Sequence, residues 1–174
     1  DKVLEFVEIV FKPPIKEGED RVWVSDALNR VGYYFATELK DFGEARQLFE
    51  KALELNPSSA RIENNLANAL SDLSCSEKDE AKKRHFQDDA EFHYKRAIEL
   101  KGDYPEAYNN YAILLSDLRR FEEAEFHYKR ALELKGDYPD AHNNYANLLK
   151  NLGRLDEAEF HYKRALELKG DYPD

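Results

Sequence analysis

Three pairs of adjacent asparagines recur along the chain, Asn64-Asn65, Asn109-Asn110 and Asn143-Asn144. Asparagine is a mediocre helix former, so its pairing inside stretches of helical periodicity needs another reason. A primary amide can donate to a peptide carbonyl and accept from a peptide N–H at the same time. A row of such amides on helices packed about 10 Å apart would meet an extended chain, rising about 3.3 Å per residue, at roughly every third residue. The result is a sequence-tolerant grip on polypeptide backbone. The competing use is internal, with the amides bonding neighbouring helices and binding nothing. The two uses are compatible, one amide of a pair serving packing and the other a ligand.

Other chemistry is scarce. His93, His127 and His161 recur at intervals of 34 residues, which invites a metal reading. Zinc ligands sit about 2 Å from the ion, whereas neighbouring helices lie roughly 8–10 Å apart. One histidine per unit therefore does not converge on one metal, and duplication of a surface or packing residue explains the row. No phosphate-binding loop, HExxH helix, CxxC pair or nucleophile elbow is present. Carboxylates abound, but nothing marks a pair held in a cleft for acid/base work. The expectation is a protein that is not an enzyme and takes no cofactor or metal.

Composition narrows the partners. A net charge of −10 and a sequence pI near 5.1 argue against nucleic acid. No apolar run approaches the ~20 residues that span a bilayer, and no signal-peptide pattern opens the sequence, so a membrane partner is not expected. A lone Cys75 excludes an internal disulfide framework and points to a reducing, cytoplasmic compartment. The absence of methionine suggests a fragment or processed piece of something longer.

Residues 105–138 recur as residues 139–172, displaced by 34; such self-similarity means a repeat architecture. Inside a unit the apolar residues fall at helical spacing in two runs, Tyr111-Leu114-Leu115-Leu118 and Phe126-Ala131-Leu134. Each unit reads as a hairpin of two antiparallel helices, A then B. Gly136 and Gly170 stand where a left-handed helix C-cap is expected. Asp137 is a candidate N-cap and Pro139 presets φ for the next helix. Gly153 breaks A from B, and Asp156-Glu157 put negative charge on the first turn of B.

This unit resembles the tetratricopeptide repeat. The last copy has Ala146 at position 8, Leu149 at 11, Ala158 at 20, Tyr162 at 24 and Ala165 at 27, with Gly170 rather than Pro at 32. The resemblance implies an all-α, right-handed superhelical solenoid of antiparallel hairpins. Its A helices would line a concave groove through positions 2, 5, 6, 9, 12 and 13. Those positions hold Asn29 and Arg30 in the first unit, and Arg61, Asn64, Asn65, Asn68 and Asp72 in the second. They hold Asn109, Asn110 and Asp117 in the third, and Asn143, Asn144, Asn147 and Lys150 in the fourth.

The amide row is similar to the asparagine ladders of the O-GlcNAc transferase and kinesin light chain repeats. "NNLA" from Asn64 and "AEFHYKRAL" look like the latter, whose units are longer. Chaperone-binding repeats clamp a carboxylate with basic residues at positions 2, 5 and 6. Here only Arg30 and Arg61 are basic at those places, so a clamp is not expected, and Asp72 and Asp117 would favour a basic ligand side chain. Between the last two units helix B hardly changes, while Glu106/Asp140, Ile113/Asn147, Ser116/Lys150 and Asp117/Asn151 differ at groove positions. A duplicated scaffold with a varied groove would look like this.

The expected division is a helical cap and loop over 1–24 and repeats at 25–59, 60–104, 105–138 and 139–172, with 173–174 opening a further one. Val3, Phe6, Val7, Val10 and Phe11 share one face of the cap helix, residues 15–21 form a charged loop, and Trp23 plugs the junction with the first repeat. The first repeat needs one extra residue before Phe42. The second carries an eleven-residue surplus at about 74–84, either lengthening both helices or forming a mobile charged loop. An uncapped last helix B would favour end-to-end self-association or a missing downstream repeat. The leading expectation is a scaffold holding an extended peptide of a partner protein. A regulatory or oligomerising segment of a larger enzyme, or an engineered repeat scaffold, are the alternatives.

Overall fold

The computed structural model describes residues 19–170; the amphipathic segment at residues 1–12 lies outside them. Eight α-helices follow in order: α1 (Glu19–Tyr34), α2 (Phe42–Leu55), α3 (Ala60–Ser76), α4 (Glu80–Leu100), α5 (Pro105–Asp117), α6 (Phe121–Leu134), α7 (Pro139–Asn151) and α8 (Leu155–Gly170). No strand occurs among the described residues. The helices divide between Leu100 and Lys101 into two compact units. Each unit holds two A–B hairpins, α1/α2 with α3/α4, and α5/α6 with α7/α8. Inside each unit the second A helix packs on the preceding B helix, α3 on α2 and α7 on α6.

Small residues set how closely A and B approach. Positions 20 and 27 of every B helix are buried alanines: Ala45 and Ala52, Ala90 and Ala97, Ala124 and Ala131, Ala158 and Ala165. Position 8 of the A helices is Gly32, Ala67, Ala112 or Ala146, all buried. With no long side chain at these contacts, the backbones come near enough for Leu48, Phe49, Leu66, Leu115 and Leu149 to fill the space between them. In the first hairpin the Ser25 hydroxyl also donates to the Ala52 carbonyl at 2.7 Å, which ties α1 to α2.

The surplus of the second hairpin is helical. α3 has 17 residues and α4 has 21, against 13 and 14 in α5 and α6. Only residues 77–79 form the turn between them. It is closed by acids on backbone: Glu77 accepts from the N–H groups of Lys78 and Asp79, and Asp79 caps α4 by accepting from Ala81 and Lys82. The extra residue of the first hairpin becomes a π-helical turn at Phe35–Leu39, the usual way for a helix to absorb one residue.

Four sequence expectations need correction. α1 begins at Glu19, so the last part of the expected loop at 15–21 is helix. Trp23 is 49% exposed and not a core plug. Tyr138, not Asp137, is the N-cap residue of α7, with Pro139 at the helix start. Left-handed backbone does not occur at Gly136 or Gly170. It falls at the A–B turns, on Lys40 (φ 54), Arg119 (φ 62) and Gly153 (φ 77). Only Gly153 adopts it without a Cβ penalty.

Candidate functional site

The two units carry the same amide arrangement, each within itself. In the first, Asn65 Nδ2 of α3 donates to Asn29 Oδ1 of α1 at 2.9 Å. In the second, Asn144 Nδ2 of α7 donates to Asn109 Oδ1 of α5 at 3.1 Å. Position 6 of one A helix thus reaches back to position 5 of the A helix before it. Asn109 Nδ2 in turn donates to Asn110 Oδ1 at 3.1 Å. The position-5 amides Asn29, Asn64 and Asn109 are buried, where an amide must find partners to avoid a desolvation cost. Asn143, at position 5 of the last A helix, is exposed.

Asn65 and Asn144 are only half-buried. Each gives one of its two N–H donors to the ladder, which fixes the plane of the amide. A second N–H and the carbonyl oxygen are thereby held in a set direction on the A-helix face.

The remaining groove candidates have diverse roles. Asn68 Oδ1 accepts from the Tyr94 hydroxyl, and Asn147 Oδ1 from the Tyr162 hydroxyl, both at 2.6 Å. These positions 9 and 24 join A to B within a hairpin. Arg61 is bound to Asp26 at 2.6 Å, so one of the three basic candidates is neutralised by a neighbour. Arg30 and Lys150 are exposed. Asp72 and Asp117 reach solvent, yet loss of hydration raises both carboxyls above their ordinary values; for Asp72 the nearby Lys40 offsets part of that.

The histidine row finds its explanation at position 4 of each hairpin. His93 Nδ1 lies 2.6 Å from Glu63 Oε2, the His127 ring packs on Tyr108 and Tyr111, and His161 Nδ1 meets His142 Nδ1 at 2.8 Å. Each histidine pairs inside its own hairpin. No group of three or more metal-ligating side chains gathers among the described residues. The periodicity was visible in sequence; the partners at position 4 were not, because Glu63, Tyr108 and His142 differ in type.

The His142–His161 pair makes a pH prediction. His142 Nε2 lies 3.1 Å from the Gly136 carbonyl, which can only accept; in the neutral pair Nε2–H donates there and Nδ1 accepts from His161 Nδ1–H. Burial lowers both pKa values; at His142 the hydrogen bond to the Gly136 carbonyl opposes it and Arg164 helps, and at His161 the facing His142 helps and Glu157 opposes. An unfolded histidine near 6.5 takes a proton more readily than either folded ring. The stability this pair contributes is therefore complete above about pH 6.5 and declines as pH falls below it. Melting temperature followed from pH 8 to 5 should fall for the wild type. It should fall less in His142→Tyr, which places in α7 the residue that α5 carries as Tyr108; an unchanged slope would count against the pair.

Antiparallel hairpins with these small-residue contacts and an A-helix amide ladder define a helical-repeat protein. Three tetratricopeptide-repeat family models match the sequence, at residues 25–59, 93–126 and 117–174. Together they span more than half of the chain, which belongs to the tetratricopeptide-repeat family. No curated protein matches it. Among solved structures it is similar to PilF of Pseudomonas aeruginosa, at 21% identity and TM-score 0.74 over 89% of this chain and 65% of that one. It is similar to the Arabidopsis OM64 TPR domain, at 22% identity and TM-score 0.65 over 75% and 98%. The first TPR domain of Spaghetti (RPAP3), bound to the HSP90 peptide SRMEEVD, aligns at 23% identity and TM-score 0.63 over 74% and 93%. These likenesses show the fold.

Proposed function

We propose that the chain is a protein-interaction scaffold that holds an extended peptide segment of a partner against its A-helix faces. The observation that carries this reading is the repeated ladder bond, Asn65 to Asn29 and Asn144 to Asn109. It uses one donor of the Asn65 amide and one of the Asn144 amide, and leaves both oriented for a peptide backbone. Pre-orientation matters because the rotamer entropy of the amide is lost on folding, not on binding.

The family supports the reading, and one structural neighbour is a TPR domain with a peptide bound. The ligand chemistry here differs from a carboxylate clamp, since Arg61 is already engaged by Asp26. Asp72 and Asp117, poorly hydrated and solvent-accessible, favour a basic side chain on the peptide. No described helix is long and apolar enough to cross a membrane.

An unbiased peptide library should yield binders to the wild type. Affinity should drop about tenfold or more in an Asn65→Ala, Asn110→Ala, Asn144→Ala triple variant of unchanged far-UV helicity, since three polar contacts worth about 0.5–1.5 kcal/mol each are removed. Selected peptides should be enriched in Lys and Arg. Undiminished binding by the variant would move the site to the α3–α4 tip or to the B-helix face. Absence of binding by the wild type would remove the peptide-scaffold reading itself.

A further inference from the structure

Phenylalanine stands at the same outward point of three B helices. Phe92 of α4, Phe126 of α6 and Phe160 of α8 recur at intervals of 34 residues and are 63%, 64% and 63% exposed. Phe126 is as open as Phe160 although a whole hairpin follows it in the same unit, so packing of a further hairpin does not cover this point. The surface around it is held constant where the rest of the repeat is not. Residues 91–104 and 125–138 differ only at Ile98/Leu132, whereas half of the positions differ between the A-helix segments 60–73 and 105–118. The second unit carries a ring on both of its B helices. In the first unit α2 has Gln47 at that place, and only Phe92 remains.

Charge surrounds each ring in a fixed order. Glu122 and Glu123 stand one turn before Phe126, and Lys129 and Arg130 one turn after it. On α8 the order is Asp156 and Glu157, Phe160, then Lys163 and Arg164. At about 100° per residue, Glu122 and Lys129 fall to one side of the Phe126 ring, and Glu123 and Arg130 to the other. A two-fold axis crossing α6 and α8 through both phenylalanines sets each helix antiparallel to itself in a second copy. Phe126 then meets Phe126 and Phe160 meets Phe160, as paired aromatic rings. Glu122 faces Lys129 of the second copy and Glu123 faces Arg130, each offset along the helix by one residue, about 1.5 Å. Asp156 and Glu157 face Lys163 and Arg164 in the same way. Lys129 and Arg130 already hold Glu125 and Glu133 of their own helix, but their side chains are 56% and 43% exposed and open to a second acid. The other two-fold, running along the helices, would bring α6 onto α8 of the second copy with acid on acid and base on base.

We propose that the outward face of α6 and α8, centred on Phe126 and Phe160, binds the same face of a second copy of this chain in an antiparallel two-fold dimer. Two-fold contacts are the commonest closed oligomer, and here symmetry doubles every acid–base pair. Helices of 14 and 16 residues are about 21 and 24 Å long, which puts the interface at the small end of specific ones. A dissociation constant on the order of micromolar is expected.

Sedimentation equilibrium of the full chain from about 1 to 100 µM should show a monomer–dimer equilibrium. Phe126→Ser with Phe160→Ser, both at exposed positions, should give a monomer of unchanged far-UV helicity, whereas Phe92→Ser should leave the dimer intact. Glu122→Lys with Glu123→Lys should raise the dissociation constant about tenfold or more. Adding Lys129→Glu with Arg130→Glu to that variant should bring the dimer back. A wild type that stays monomeric overturns the proposal and leaves the phenylalanines to a different protein. A dimer that survives loss of both rings, or that is lost in Phe92→Ser, overturns it by placing the contact elsewhere. Loss of the dimer in Leu155→Glu with Leu166→Glu, on a different face of α8, does the same in favour of end-to-end association. Failure of the fourfold variant to recover rejects the antiparallel register.

Discussion

Replacing Phe49 with alanine should cost about 3–5 kcal/mol, the largest effect of any single side chain in the first unit. Phe49 is 1% exposed and fills the space between α1 and α2. Its ring also explains Gly32. A Cβ placed on Gly32 would stand 2.8 Å from Phe49 Cε1 and 3.0 Å from Cδ1, closer than packed atoms tolerate. Two opposing effects then decide Gly32→Ala. Helix propensity favours alanine by about 1 kcal/mol, while overpacking a filled core costs about 1–3 kcal/mol. In the wild type the clash should prevail and Gly32→Ala should destabilise. In a Phe49→Ala background the clash is gone, and the same change should stabilise by up to about 1 kcal/mol. Trp23, the chain's single tryptophan, lies on α1 and reports this unit's urea transition. Simple additivity of the two changes would reject the account.

That pair also shows what was legible beforehand. Period, hairpin division and the small positions 8, 20 and 27 could be read directly, because a backbone contact admits few residue types. Even the extra residue of the first hairpin was countable, although its form as a π-helical turn was not. The left-handed positions were misplaced because glycine is a permissive residue and not a marker. Arg119 and Lys40 adopt that backbone at turns whose geometry the two flanking helices impose. Trp23 was misjudged by size: a large aromatic suggests a core, whereas α1 leaves it half in water.

The asparagines were found by type and period, but their division of labour was hidden. Which of two adjacent amides turns toward the neighbouring A helix depends on helix phase across the contact. That phase shows only once Asn65 is seen reaching Asn29. The partners of His93, His127 and His161 were obscure for the same reason, since Glu63, Tyr108 and His142 share a place and have no chemistry in common. Side chains facing each other across a hairpin leave no common residue type for a repeat alignment to reveal.

Exchanging Glu125 for glutamine should destabilise the second unit by about 1–2 kcal/mol and change its response to acid. Glu125 stands where α6, α7 and the start of α8 meet. It accepts from the Tyr145 hydroxyl at 2.8 Å and from Arg154 at 2.7 Å, and it pairs with Lys129 at 2.7 Å. Burial works against its charge, but the hydrogen bonds from Lys129, Arg154 and Tyr145 prevail and bring the carboxyl down to about 2 from 4.5. The full shift overstates the stabilisation, because the Lys129 side chain is 56% exposed and water screens its share. Folding favours the ionised form, so the stabilisation is complete above pH 4.5 and declines as pH falls from there toward 2. The histidine pair acts in a higher window, beginning near 6.5. The two acid effects are therefore separable. Glu125→Gln should lower the melting temperature of the second unit at neutral pH and flatten its decline below 4.5, while leaving the decline between 6.5 and 5 intact. His142→Tyr should do the reverse. Calorimetric scans at stepped pH read both, and a Glu125→Gln variant whose decline below 4.5 matched the wild type would show that the Glu125 charge is not what holds these three helices together.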